Sequence, residues 1–147
     1  MKKKVLFICV QNSARSQIAA ALLNEMCGEF FEAQSAGLEP GTLNPLAVEA
    51  LQEIGTDISA NETQSVFDVF KSGQLFAYAI KVCSESESKG CPIFPGVTTR
   101  LHWSFSDPAK FTGTHAEKLA KTREVLEEIR TKIDAFCAEH CELDLQT

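Results

Sequence analysis

Hydrophobic and polar positions along this chain change their period several times, and each change marks an element. Residues 4–8 are a short, β-rich apolar run, suited to a strand buried on both faces. From Ser16 the period becomes helical: QIAAALLNEMC places Ile18, Leu22 and Met26 on one face, and Gly28 can end the helix. Residues 30–36 read as a second strand. Asn44-Pro45 then opens a helix as cap and first-turn residue, with Ala47, Ala50, Leu51 and Ile54 as its buried stripe and Gly55 to close it. Residues 66–71 could form another short helix, residues 75–83 read as a third strand, and residues 98–104 as a fourth. The longest helix is expected from about 115 to 138, where Leu119, Leu126, Ile129, Ile133 and Phe136 recur at spacings of three, four and seven. Strands alternating with helices predict an α/β fold: a four-stranded parallel sheet with helices on both faces, a three-layer sandwich. Ligands of such sheets bind beyond the carboxyl ends of the strands, which is where Cys9, Cys83 and the segment after Ser104 fall.

Composition narrows the picture. A length of 147 residues suits one domain, 1–147, and 44% hydrophobic with 23% charged residues is ordinary for a globular protein. The net charge of -6 argues against a nucleic-acid partner, and an anionic substrate must be attracted by a local site. The apolar run 5–10 is too short for a signal-peptide core or a membrane span, so a cytoplasmic protein without a membrane partner is expected. Six cysteines (Cys9, Cys27, Cys83, Cys91, Cys137 and Cys141) are many for such a chain. A structural disulfide framework is not expected there, which leaves metal binding or redox catalysis.

The segment after the first strand reads Cys9-Val10-Gln11-Asn12-Ser13-Ala14-Arg15-Ser16. Five residues between the cysteine and the arginine let the chain wrap so that successive backbone N–H groups point inward as an anion-binding nest. The start of the following helix adds its partial positive charge. Arg15 supplies a planar fork for two oxygens of a tetrahedral oxyanion, and the same dipoles, with the Ser16 hydroxyl, favour Cys9 as a thiolate. A buried strand-end cysteine beside an unrelated surface arginine is the plain alternative, but it does not account for the strand-to-helix junction or for Ser16.

On this loop the sequence resembles the low-molecular-weight tyrosine phosphatase family, whose first loop has the same C-x5-R-S pattern near the N-terminus. The likeness covers most of the chain. Asn12 matches the asparagine that helps hold the family's loop open, and Gln11 stands where glycine is common. Asp107-Pro108 matches the Asp-Pro pair of the family's general acid, a carboxyl that can protonate a departing oxygen. An aromatic residue usually follows that pair in the phosphatases, whereas Ala109 and Lys110 follow it here. HWSFSDPA is instead similar to the arsenate reductases of the superfamily.

Cys83, ending the third strand, and Cys91, eight positions later before Pro92, are similar to the redox pair of those reductases. The resemblance implies a relay. Cys9 attacks arsenate while Asp107 protonates the leaving oxygen; Cys83 attacks Cys9 and arsenite departs; Cys91 then frees Cys9, leaving a Cys83–Cys91 disulfide. Thioredoxin is the implied reductant, with glutaredoxin or a small thiol as the alternative. Zinc is the rival explanation of the pair, but a structural site wants four ligands in short pairs, and Cys137 and Cys141 could add two only if the fold carried them there. No metal and no cofactor are expected. Ala20 stands where some reductases have an acidic residue for a monovalent cation, so that ion is not carried over. Cys27 reads as a small core residue, and Cys137 and Cys141 as bystanders on a fraying helix end. The second hypothesis is a phosphatase hydrolysing monoesters through a phosphocysteine. The third is a non-catalytic redox sensor, which leaves Asp107 unexplained.

Overall fold

A computed structural model describes residues 2–84 and 99–145, with side chains in the last helix as far as Glu139. In chain order the elements are β1 (Lys3–Cys9), α1 (Arg15–Cys27), β2 (Phe31–Gly37), α2 (Pro45–Glu53), α3 (Val66–Lys71), β3 (Tyr78–Lys81), β4 (Thr99–His102), a 3₁₀ turn (Pro108–Lys110) and α4 (His115–Leu145). The four strands form one sheet in the order β2-β1-β3-β4, parallel throughout. β1 is buried on both faces because its side chains alternate between two apolar clusters. Val5, Phe7 and Cys9 join residues of α1, α2 and α4, whereas Leu6 and Ile8 join Val66 and Val69 of α3. The α/β three-layer arrangement expected from the sequence is thus the observed one.

Strand order decides where a ligand can enter. The chain leaves β1 on one side to make β2, then crosses back to place β3 on the other side, with Ile8 in register with both Ala36 and Lys81. With β2 on one side of β1 and β3 on the other, the carboxyl ends of these strands lie where the strand order reverses, the usual binding place in an open parallel sheet. Cys9 ends β1 and Cys83 follows β3.

Local signals set most of the element boundaries. Asn44 Oδ1 accepts from Leu46 N–H at 2.9 Å at the start of α2, and Gly55, at φ +87°, turns the chain after it. Ser65 Oγ likewise accepts from Phe67 N–H at 3.1 Å at the start of α3. Leu119, Leu126, Ile129, Ile133 and Phe136 of α4 are all buried. Strands β3 and β4 are shorter than expected. Ala77 N–H to Lys4 O and Val82 N–H to Ile8 O extend the β3 ladder by one residue at each end, after which the chain diverges and Leu75 enters solvent.

Two expected stripe residues lie outside the core, Met26 and Ile54, each 37% exposed. On α1 the buried set Ile18, Leu22, Leu23 and Cys27 follows the 3.6 period, which turns Met26 away. Ile54 caps α2 with non-helical dihedrals, so it leaves the stripe. A further correction concerns Cys27 and Cys137. Cys27 is a core residue as expected, but Cys137 is no bystander: α4 packs on α1 and the two cysteines form a disulfide across 110 positions. No local pattern could announce a pairing between helices so far apart in sequence.

Candidate active site

The loop after β1 takes its shape from outward bonds to the segment after β2. The carbonyls of Val10, Gln11 and Ser13 accept from the N–H groups of Glu39, Gly41 and Asn44, at 2.8, 2.9 and 2.9 Å. In a planar trans peptide the N–H points opposite to the C=O. Each carbonyl turned outward therefore turns the following N–H, of Gln11, Asn12 and Ala14, toward the inside of the loop. Asn12 N–H donates to Cys9 Sγ at 3.1 Å, as that geometry requires. Helix α1 begins directly after the loop with no side-chain cap and no acidic residue in its first turn, which leaves its positive end for an anion.

Asn12 is the keystone of this loop. It is fully buried at φ +56°, a left-handed conformation that asparagine tolerates better than most residues. Its amide nitrogen donates to Ser16 Oγ at 2.8 Å, and its Oδ1 accepts from Gln64 N–H at 2.9 Å. Ser16 Oγ, having received the amide, keeps its own hydrogen and lies 2.9 Å from Cys9 Sγ. A thiolate at Cys9 would thus accept from the Ser16 hydroxyl and from Asn12 N–H together.

Arg15 is 3% exposed, and its guanidinium is held by Phe105 and Asp107 among its contacts. One nitrogen donates to Phe105 O at 3.2 Å and another lies 3.5 Å from Asp107 Oδ2. The other Asp107 oxygen accepts from Ala109 N–H at 2.9 Å and starts the 3₁₀ turn. Cys9, Asn12, Arg15, Ser16 and Asp107, 98 positions apart at the extremes, are thereby brought to one end of the sheet.

Cys83 is buried just beyond β3. Since Val82 N–H bonds to Ile8 O at 2.9 Å, Cys83 and Cys9 belong to the ends of adjacent strands, which run about 4.8 Å apart in such sheets. The Cys83 carbonyl bonds to Nε2 of His102 on β4. Cys91, the other expected redox residue, lies outside the described residues. Cys137 lies against Cys27 at the far end of α1 from the loop, so it brings no zinc ligand to Cys83.

Several contributors carried no signal that singled them out in the sequence. Gly37 is one: a Cβ there would lie 2.7 Å from both Asn12 N and Val10 O, so the strand can brace the loop only without a side chain. The position of a glycine at a predicted strand end was the available clue. Gln17 is buried and donates to Asn12 O at 3.1 Å and to Glu62 O at 3.2 Å, tying the loop to the chain before α3. His102 had no assigned role, and its contact with Cys83 depends on the register of β3 and β4.

Comparison with known proteins bears on the family and the fold. The family model described as low molecular weight phosphotyrosine protein phosphatase matches residues 4–143. An arsenate reductase of Bacillus subtilis is 37% identical over 139 residues, covering 92% of this chain and 96% of the relative. A solved thioredoxin-dependent arsenate reductase of Corynebacterium glutamicum is 31% identical with a TM-score of 0.61, over 91% of this chain and 63% of that one. A solved arsenate reductase in a phosphate-binding state superposes with a TM-score of 0.75 over 95% of this chain and 98% of that one; at 24% identity it speaks for the fold.

Proposed function

The chain belongs to the low molecular weight phosphotyrosine protein phosphatase family, and from that premise we propose that it is an arsenate reductase working through a cysteine relay. The observation that carries this reading is the placement of two buried cysteines, Cys9 and Cys83, at the ends of adjacent strands beside a loop of inward N–H groups. A phosphatase of the same family needs the loop and the acid but has no use for Cys83.

In the proposed reaction, arsenate binds in the loop formed by Val10, Gln11, Asn12, Ser13, Ala14, Arg15 and Ser16. Its oxygens take the inward N–H groups and the Arg15 fork. The Cys9 thiolate attacks arsenic, and Asp107 gives its proton to the departing oxygen, which leaves as water. A covalent arseno-cysteine results. Cys83 then attacks the Cys9 sulfur; the electron pair of the S–As bond passes to arsenic, arsenite is released, and a Cys9–Cys83 disulfide remains. Attack of Cys91 on Cys83 returns Cys9 as a thiolate and leaves a Cys83–Cys91 disulfide for an external dithiol.

Thioredoxin is the proposed reductant, with glutaredoxin or a small thiol as the alternative. The whole chain, 1–147, serves this one site as a single domain. No helix among the described residues is long and apolar enough to cross a membrane. A reducing cytoplasm is the proposed location, since the relay must start from free thiols.

The test compares two assays on one protein: arsenate-dependent NADPH oxidation with thioredoxin and its reductase, and hydrolysis of an aryl phosphate. Cys83→Ser and Cys91→Ser should both lose multiple-turnover arsenate reduction and keep slow ester hydrolysis. In one turnover, Cys91→Ser should release arsenite and accumulate a Cys9–Cys83 disulfide. If both variants reduce arsenate with thioredoxin as fast as the parent, the relay is wrong.

A further inference from the structure

The Cys27–Cys137 bond has no part in the reaction just described, and its position shows why. Cys27 ends α1, about 18 Å along the helix from Arg15 at 1.5 Å per residue, so its sulfur is out of reach of Cys9. Cys137 lies in α4 next to Phe136, whose ring packs on Phe31, Tyr78 and Trp103 at centroid distances of 5.1, 5.3 and 5.7 Å. That aromatic cluster covers the face of β2, β3 and the end of β4. The two cysteines are each 7% exposed, and their Cα atoms are 6.2 Å apart, within the range that a disulfide bridges. Both side chains belong to the apolar cluster, a setting that also suits a cysteine thiol, which behaves as a small hydrophobe.

We propose that Cys27 and Cys137 are a second redox site, a dithiol–disulfide couple that locks α4 onto the end of α1 when small-molecule disulfides accumulate. The oxidant is a low-molecular-weight disulfide of the glutathione class. One cysteine thiolate attacks it, forming a mixed disulfide and releasing one small thiolate. The second cysteine attacks the protein sulfur of that mixed disulfide, closing the Cys27–Cys137 bond and releasing the other small thiolate. Two electrons pass from the protein to the small disulfide, and the two thiolates collect the two protons. Excess small thiol runs the exchange backwards. Closing a loop of 110 positions removes much freedom from the unfolded chain, so the oxidised form is the more stable one. A cell under oxidative load would then hold the enzyme folded when thiol supply is poor.

The experiment uses the full chain equilibrated with reduced and oxidised glutathione in varied ratio. After acid quench and alkylation, peptide mass spectrometry counts the linked Cys27–Cys137 peptide, and thermal unfolding is followed on the same samples. The linked fraction should rise from near zero to near complete as a two-electron step, with Tm higher by at least about 5 °C in the oxidised form. Cys27→Ala and Cys137→Ala should each abolish the linked peptide and the gain in Tm while keeping arsenate turnover. Mapping of the parent needs neither variant to fold. Alkylation of both cysteines as free thiols at every ratio would overturn the proposal. So would a bond that persists in fully reduced glutathione, a linked pair without a gain in Tm, or the same gain in both variants.

Discussion

The loop 9–16 and the turn at Asp107 face each other across Arg15, and they are held in different ways. The loop is tied down from every side: its carbonyls to Glu39, Gly41 and Asn44, its keystone Asn12 to Ser16, Gln17 and Gln64, its outer wall to Gly37. Asn12, Ser13, Ala14, Arg15, Ser16 and Gln17 are buried, while Gln11 and the partners Glu39, Gly41 and Gln64 reach the surface. Asp107 is only half-buried, its side chain 18% exposed, and among the described residues its carboxylate contacts Arg15 and accepts from Ala109 N–H. The difference follows from the work each would do. An anion nest must keep several N–H groups aimed at one point, and a misplacement of 1 Å can cost about 10²-fold in rate. A general acid has one proton to deliver and can approach as the substrate settles.

The largest effect should come from the loosely held side. Asp107→Asn removes the proposed proton donor and should lower kcat by about 10²–10⁴-fold, with Tm unchanged. Because it also removes a negative charge beside Arg15, phosphate should bind at least as tightly as to the parent, measurable by calorimetry. Weaker phosphate binding would mean that the turn helps to shape the nest, and the contrast would fail.

Gly37→Ala attacks the rigid side without removing any group that touches substrate. The new Cβ presses on backbone atoms of the loop, so kcat/KM should fall by about 10²-fold, and stability by roughly 1–3 kcal/mol in denaturant titration. Unchanged values for both would show that the loop gives way freely.

Arg15→Lys sharpens the comparison at the residue that both regions share. Charge is kept and the fork is lost, so kcat/KM should drop by at least about tenfold, or ~1.4 kcal/mol. Near-normal kinetics would remove the fork from the mechanism.

The smallest effect belongs to a pair remote from both regions. Arg123 donates to Glu53 from α4 to α2, and this hydrogen bond, with the arginine's charge, lowers the Glu53 pKa. A depressed carboxylate contributes stability above its unfolded pKa and loses it as pH falls through the folded value. Arg123→Ala should therefore move Tm by at most about 2 °C at neutral pH and by still less under acid, because the pair is exposed.

What the sequence determined by itself was everything that depends on neighbours within a few turns of chain. The apolar run ending at Cys9, the C-x5-R-S spacing, the Asn44-Pro45 helix start, the 3.6 period of α4 and the Asp107-Pro108 turn are short-range patterns, and they placed the strands and the helices and singled out the residues of the proposed site. Tertiary structure alone decided which distant groups would meet. Gly37 makes room for the loop only because β2 lies beside β1, and Arg15 finds Asp107 only because β4 returns next to β3. His102 reaches the carbonyl of Cys83 through strand register, and Cys27 reaches Cys137 through the packing of α4 on α1. The physical reason is one of range. Backbone propensity and hydrophobic period act between residues a few positions apart, whereas these contacts join segments whose separation in the chain carries no information about their separation in space.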